Sequence, residues 1–122
     1  MAKLEKTLHG DLDEIDRKIG QGITAVQDDI IIRDSWTTTS GNVRCIFTVY
    51  EKPARRTWED GEYKDAPHYS LSLALVDTGK EIRLCAITAG SNKALYFIPG
   101  DGPEGGLMGA LKTALEIMDQ II

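Results

Sequence analysis

The side chains best suited to chemistry lie at the two ends of residues 68–92, a segment in which apolar and polar residues alternate. His68 and Tyr69 open this segment, and Thr88, Ser91 and Asn92 follow at its far end. Imidazole, phenol, hydroxyl and amide groups at strand ends can exchange protons with a ligand or hydrogen-bond to it. The same groups also satisfy backbone atoms at tight turns. Both interpretations stay open, and the candidate ligand-binding residues are Thr88, Ser91, Asn92 and Tyr69.

No group of residues has the spacing of a known catalytic or metal centre. His9 and His68 each lie near aspartates, but neither belongs to a ligand motif such as HExxH or CxxC. The sequence does not group a nucleophile with a base and an orienting residue. We therefore predict no metal and no cofactor, and the catalytic residues of any enzymatic activity stay unknown.

The two cysteines are too few for a disulfide framework. Strand alternation groups Cys45 with Val43 and Phe47, on the side that we assign to the core. It places Cys85 with Ile87 on the opposite side. Thiols on opposite faces of a sheet cannot bridge. We therefore expect both cysteines to be reduced and unreactive.

The composition excludes several classes of function. The 122 residues include 14 basic and 19 acidic ones, which gives a formal charge of −5. Such a chain, without a basic stripe, repels a nucleic-acid backbone. No apolar run approaches the ~18 residues of a membrane span, and the first residues lack the apolar core of a signal peptide. We expect a single cytoplasmic domain over residues 1–122 that binds neither nucleic acid nor membrane.

The N-terminal third predicts a strand and an amphipathic helix. Residues 3–8 favour a short edge strand, and Asp11 supplies a helix-capping carboxylate. Apolar residues then recur at helical spacing, at Leu12, Ile15, Ile19 and Ile23. We expect the helix to end near Gly22, and an extension to Val26 stays open.

Two strands and a charged segment follow. Consecutive β-branched residues predict a strand over residues 30–36, a turn over 37–42 and a second strand over 43–50. Residues 52–67, with the sequence KPARRTWEDGEYKDAP, are densely charged, have prolines near both ends and show no regular period. We predict a long exposed loop there, either disordered or functional.

The clearest alternation lies in residues 68–98 and predicts a hairpin. One face carries Tyr69, Leu71, Leu73 and Leu75 on the first strand, and Ile82, Leu84 and Ala86 on the second. A turn at residues 77–80, with Gly79 at positive φ, pairs Leu75 with Ile82. A short apolar strand is expected over residues 94–98.

A final helix is predicted to begin near Pro103. Its apolar stripe comprises Leu107, Leu111, Leu115, Met118 and Ile122, widened by Ala110, Ala114, Ile117 and Ile121. The order is therefore strand, helix, four or five antiparallel strands, helix. This order predicts an α+β fold in which both helices cover one face of a curved antiparallel sheet.

The opposite face of the sheet is predicted to be half apolar. We assign to it Ile31, Ile46, Tyr50, Cys85 and Ile87, interspersed with charged and hydroxyl residues. Such mixed faces often mark subunit contacts. We predict a homodimer that forms through this face or through an edge strand.

Two resemblances accompany these patterns. The order of elements resembles the TATA-box-binding-protein-like and helix-grip architectures, which carry many functions. The segments EKTLHGDLDEI, GNVRCIFTVYE and LCAITAGSNKALYF are similar to a family of small uncharacterised bacterial proteins, a domain of unknown function. That similarity covers most of the chain except residues 53–67, and it implies no known activity.

Two functional hypotheses follow. In the first, the chain is a non-enzymatic module that associates with itself or with another protein, or that holds a small apolar ligand. In the second, it is a small enzyme that uses a cleft between the sheet and the C-terminal helix, with Tyr69, His68 or Thr88 as acid–base groups. The size of that cleft discriminates between them.

Overall fold

A computed structural model describes residues 3–26, 30–53, 55–66, 68–90 and 103–118. The elements are β1 (Lys3–Leu8), α1 (Leu12–Val26), β2 (Ile31–Ser40), β3 (Val43–Lys52), β4 (Arg55–Glu59), β5 (Glu62–Ala66), β6 (Tyr69–Asp77), β7 (Ile82–Gly90) and α2 (Pro103–Ile117). Five strands form one antiparallel sheet in the order β1-β7-β6-β3-β2. The predicted α+β class is confirmed.

Both helices pack on the same face of this sheet, which we call the inner face. The apolar stripe of α1 is buried there, as are Leu107, Leu111 and Leu115 of α2. Alternate residues of the strands complete the core, namely Leu8, Ile46, Tyr50, Tyr69, Leu71, Leu73, Leu75, Ile82, Leu84 and Ala86. Ile117, which the sequence assigned to the buried stripe of α2, is 79% exposed. That assignment was wrong, because α2 contacts the molecule along a narrower stripe.

Helix α1 starts as predicted and ends later than expected. The Asp11 carboxylate accepts a hydrogen bond from the Glu14 backbone N–H at 3.0 Å, which caps the first turn. The helix then runs through Gly22 to Val26. A Cβ atom on Gly22 would lie 2.6 Å from the Cβ of Ala114. Gly22 is therefore a helix–helix contact point rather than a helix end.

The first turn of α1 is also tied to the sheet. Arg44 donates two hydrogen bonds to the Asp13 carboxylate, each at 2.8 Å. This pairing lowers the pKa of Asp13, chiefly through the hydrogen bond from Arg44. The ion pair links the N-terminus of α1 to β3.

The hairpin of β2 and β3 differs from the prediction in two ways. Strand β2 continues to Ser40, and the turn occupies only Gly41 and Asn42, with φ of 59° at Gly41. The second difference concerns the faces of β3. Ile46 and Tyr50 are opposite Leu75 and Leu71 of β6, so they face the core.

The β6–β7 hairpin has the predicted faces and a different register. Asp77 pairs with Ile82 and Leu75 pairs with Leu84, a shift of two residues from the predicted pairing. Because a shift of two preserves the alternation, every side chain keeps its face. Gly79 has a φ of 91°, as predicted, and its N–H donates to the Asp77 carboxylate at 2.9 Å.

The segment predicted as a long loop forms a second, two-stranded sheet. Strands β4 and β5 pair antiparallel, with Trp58 opposite Tyr63. The connecting residues Asp60 and Gly61 have φ of 53° and 80°, the backbone of a type I′ turn. The centroids of the two aromatic rings lie 4.8 Å apart in an edge-on arrangement, and both side chains are exposed. The exposure of these side chains agrees with the prediction of an exposed segment. The prediction that the segment has no regular secondary structure was wrong.

Candidate functional site

The face of the main sheet that points away from both helices is the candidate functional site, and we call it the open face. It is formed by the residues that alternate with the core positions. Its apolar members are Trp36 of β2, Cys45, Phe47 and Val49 of β3, Ala74 and Val76 of β6, and Cys85 and Ile87 of β7. Within the described part of the chain, both helices contact only the inner face.

The centre of the open face is a shallow apolar depression. It measures about 580 Å³. Its lining includes Phe47 and Val49 on one side, and Cys85 and Ile87 on the other, with Ala74 between them. Small side chains on β6, in particular Ala74 and Ser72, leave the space that the larger neighbours surround. The alternation of small and large residues across three strands therefore creates a concave apolar surface.

One margin of the depression is aromatic. The rings of Trp36 and Phe47 lie 6.3 Å apart at an angle of 49°, across the β2–β3 pair. Trp36 is 68% exposed and Phe47 is 41% exposed. Large aromatic side chains that are left this exposed are typical of contact surfaces.

The edge of the open face on the β1 side carries paired charges. Arg83 forms an ion pair with Glu5, and its other terminal nitrogen donates to the Thr7 hydroxyl at 3.3 Å. Lys3 and Glu5 also line the depression. This edge therefore presents both signs of charge next to the apolar centre.

A second charged group lies near the β2–β3 end of the face. The Glu51 carboxylate forms an ion pair with Arg33, whose Nε lies 3.4 Å away, and is 3.3 Å from His68 Nε2. Arg33 stands at the β-bulge where the β2–β3 register shifts. The Glu51 side chain is largely covered.

The prediction that the two cysteines do not form a disulfide agrees with the structure, but the predicted face of Cys45 was wrong. Both thiols are free, as expected. Cys45 is opposite Val76 and Cys85 is opposite Ala74, so both cysteines lie on the open face rather than on opposite faces. They belong to strands on either side of β6, at ~10 Å strand-to-strand separation. Two thiols separated by a strand cannot form a disulfide without backbone movement.

The predicted ligand-binding residues lie on the inner face where they are described. Tyr69 and Thr88 are both buried, and Thr88 is opposite Leu71. Ser91 and Asn92, and the strand expected over residues 94–98, lie outside the described residues. The structure therefore brings Tyr69 and Thr88 to one end of the core, and their ligand-binding role stays a prediction.

The predicted interface residues divide between the two faces. Cys85 and Ile87 lie on the open face, and Ile31 is exposed at the start of β2. Ile46 and Tyr50 are buried under the helices, so their assignment to the interface was wrong. Sequence reasoning missed Trp36, Phe47 and Val49. Because apolar residues occupy both faces of β3, no sequence signal singles them out, and only the pairing of Ile46 and Tyr50 with leucines of β6 identifies the buried face.

The space between the sheet and α2 is occupied by apolar side chains. Leu107, Leu111 and Leu115 meet the leucines of β6 and β7 there. Among the described residues, no group of three or more histidine, cysteine, aspartate or glutamate side chains is placed to hold a metal ion. None of the described helices is long and apolar enough to cross a membrane.

Comparison with known proteins shows a family without an assigned function. No curated protein matches the chain. The solution structure of Chr148 from Cytophaga hutchinsonii, a structural genomics target, has a TM-score of 0.40 at 9% identity, covering 96% of this chain and 90% of that one. The structure of major latex-like protein 151 from Panax ginseng has a TM-score of 0.28 at 10% identity, covering 96% of each chain. The model of DUF6054, a family of unknown function, matches residues 1–118, so the chain belongs to this family.

Proposed function

We propose that the chain is a non-enzymatic interaction module that forms a homodimer through the open face. The observation that carries the proposal is the apolar depression beside the exposed Trp36 and Phe47. Apolar surface of this kind gains free energy when it is removed from water. A second copy brings the same apolar surface, and a two-fold axis buries both copies of that surface in one contact.

The area of the open face supports a dimer. The five strands have six to ten residues each, and at ~4.8 Å spacing and ~3.3 Å per residue they present roughly 700 Å². Two such faces together remove ~1,400 Å² from water, which is within the lower part of the range for specific and stable interfaces. Face-to-face packing of two sheets at ~10 Å is also a common arrangement of antiparallel sheets.

The charges of the open face support the same partner. Each copy has a formal charge of −5, so association of two copies meets a general repulsion. The charges at the edge of the face are nevertheless of both signs, Lys3 and Arg83 with Glu5. Opposed copies can therefore place a basic side chain near an acidic one at the rim, while the apolar centre stays free of charge.

Sedimentation equilibrium of matched lysine variants tests the proposal. Phe47→Lys places a charge in the centre of the face, and Ile117→Lys places the same charge on the exposed side of α2. The unmodified chain and Ile117→Lys are expected to form dimers at micromolar concentration. Phe47→Lys is expected to weaken the dimer roughly a hundredfold or more, because two unpaired charges enter an apolar contact.

The results distinguish a dimer interface at the open face from an interface elsewhere on the molecule. Far-ultraviolet circular dichroism shows that each variant is folded. A monomer at every concentration in the unmodified chain would overturn the proposal. A dimer that survives Phe47→Lys but is lost in Ile117→Lys would move the interface to α2.

A further inference from the structure

A polar cleft lies on the other side of the sheet, between α1 and the β2–β3 pair. It measures about 310 Å³. Asp16 and Gly20, one turn apart on α1, form one wall. Ser35, Thr48 and Tyr50 form the facing wall. The cleft is separate from the depression on the open face, because Tyr50 and Thr48 point to the inner side of β3.

Tyr50 presents a buried phenol to this cleft. Its side chain is 1% exposed, and its hydroxyl lies 3.4 Å from the position that a Cβ on Gly20 would occupy. Burial raises the pKa of Tyr50, and the nearby Asp16 raises it further, so the hydroxyl stays protonated. Tyr50 lines the cleft, so its hydroxyl can donate a hydrogen bond to water or to a ligand there.

The acidic group of the cleft is Asp16. Burial raises its pKa, and the charge of Asp13 adds to the shift. Its side chain is half-buried at the wall of the cleft, so its carboxylate can accept hydrogen bonds there. On the facing wall, the hydroxyls of Ser35 and Thr48 bond to each other at 3.1 Å. The cleft therefore combines a carboxylate acceptor, a phenol donor and a pair of hydroxyls.

We infer that this cleft binds a small, uncharged, polyhydroxylated molecule of about the size of one sugar ring. Hydroxyl groups both donate and accept, so such a ligand can satisfy Asp16 and Tyr50 together. Asp16 disfavours an anion, and Arg17 at the rim disfavours a cation. The volume of the cleft is at the lower end of the range for small-molecule sites.

The inference is independent of the proposed homodimer. The open face and the cleft lie on opposite sides of β3, and they share Thr48 alone among their lining residues. A monomeric chain can bind a ligand in the cleft, and a dimeric chain can leave the cleft empty. Failure of one proposal is therefore distinguishable from failure of the other.

Amide chemical shifts measured by two-dimensional NMR test the inference. The probes are myo-inositol and D-glucose, with acetate and methylammonium as charged comparisons. A neutral probe is expected to shift the amide resonances of Gly20, Ser35 and Tyr50 at millimolar concentration. The dissociation constant follows from the titration.

Two variants, each with a matched control, test whether the ligand binds in this cleft. Tyr50→Phe removes only the hydroxyl and is expected to weaken binding about tenfold, because one hydrogen bond is lost. Tyr63→Phe, on the exposed side of β5, removes the same group and is expected to have no effect. Gly20→Ala places a methyl group against Tyr50 and is expected to reduce binding, whereas Gly109→Ala meets nothing within 4 Å and is expected to preserve it.

Three results would overturn the inference. One is the absence of shifts at the cleft with both neutral probes. Another is tighter binding of acetate or methylammonium than of either neutral probe at the same residues. The third is an unchanged dissociation constant in both Tyr50→Phe and Gly20→Ala.

Discussion

The two faces of the main sheet have similar residue types and opposite environments. Strand β3 places Ile46 and Tyr50 on the inner face, and Phe47 and Val49 on the open face. Ile46 and Tyr50 are buried, whereas Phe47 is exposed, although all four residues favour strands. The difference comes from the helices, because α1 and α2 cover only the inner face. The alternation of side chains therefore defines two apolar faces, and the face on which the helices pack becomes the core.

The largest expected effect contrasts equivalent aliphatic residues on the two faces of β7. Leu84→Ala removes a buried side chain opposite Leu75 and is expected to lower the free energy of unfolding by ~2–5 kcal/mol. Ile87→Ala on the open face is expected to cost less than ~1 kcal/mol in the monomer. Urea denaturation at the lowest workable protein concentration measures both. Equal losses would show that the open face is covered within the chain.

The second contrast concerns the contact between the helices that cover the inner face. Gly22→Ala improves helix propensity, but its new methyl group would lie 2.6 Å from the Ala114 Cβ. Overpacking at such a point costs ~1–3 kcal/mol, so we expect a lower free energy of unfolding. Gly109→Ala, where nothing lies within 4 Å, is expected to be neutral or to stabilise by up to ~1 kcal/mol.

Thermal denaturation of the two glycine variants checks this contrast. The double variant Gly22→Ala with Ala114→Gly is expected to recover part of the loss, since it removes the methyl group that the new one meets. A Gly22→Ala variant as stable as Gly109→Ala would mean that the helices separate at no cost.

Local signals predicted the parts of this fold that depend on neighbours in the chain. The cap at Asp11, the stripe of α1 and the turn at Gly79 each follow from residues a few positions apart, and all were confirmed. The Asp60-Gly61 pair between Trp58 and Tyr63 is a signal of the same kind for a hairpin. The high charge of the surrounding segment obscured it.

Features that depend on distant partners were not accessible from one sequence. Apolar residues occupy both faces of β3, so alternation alone could not say which face meets the helices. Gly22 has the sequence signature of a helix end, and only its contact with Ala114 shows its role. The polar cleft likewise depends on the approach of Asp16 on α1 to Tyr50 on β3.

The smallest expected effect compares two aspartates one turn apart on α1, the helix that covers the inner face. The pKa of Asp13 is lowered below its ordinary value of 3.8 by Arg44, so its contribution to stability is present above that pH. This contribution is lost as the pH falls through the lower folded-state pKa. Asp13→Asn should therefore be less stable than the unmodified chain near neutral pH, and the difference should vanish in strong acid.

The pKa shift of Asp16 is in the opposite direction, so the pH dependence of its contribution to stability is reversed. Its pKa is raised above 3.8 by burial and by Asp13, so its favourable contribution is present below 3.8 and is lost as the pH rises through the folded-state pKa. Asp16→Asn is therefore expected to be slightly more stable than the unmodified chain near neutral pH. Urea denaturation of both asparagine variants from acid to neutral pH measures the two trends. A stability difference for Asp16→Asn that does not change with pH would show that Asp16 is solvated like a surface carboxylate, and the cleft beside Tyr50 would then be open to water rather than shaped for a ligand.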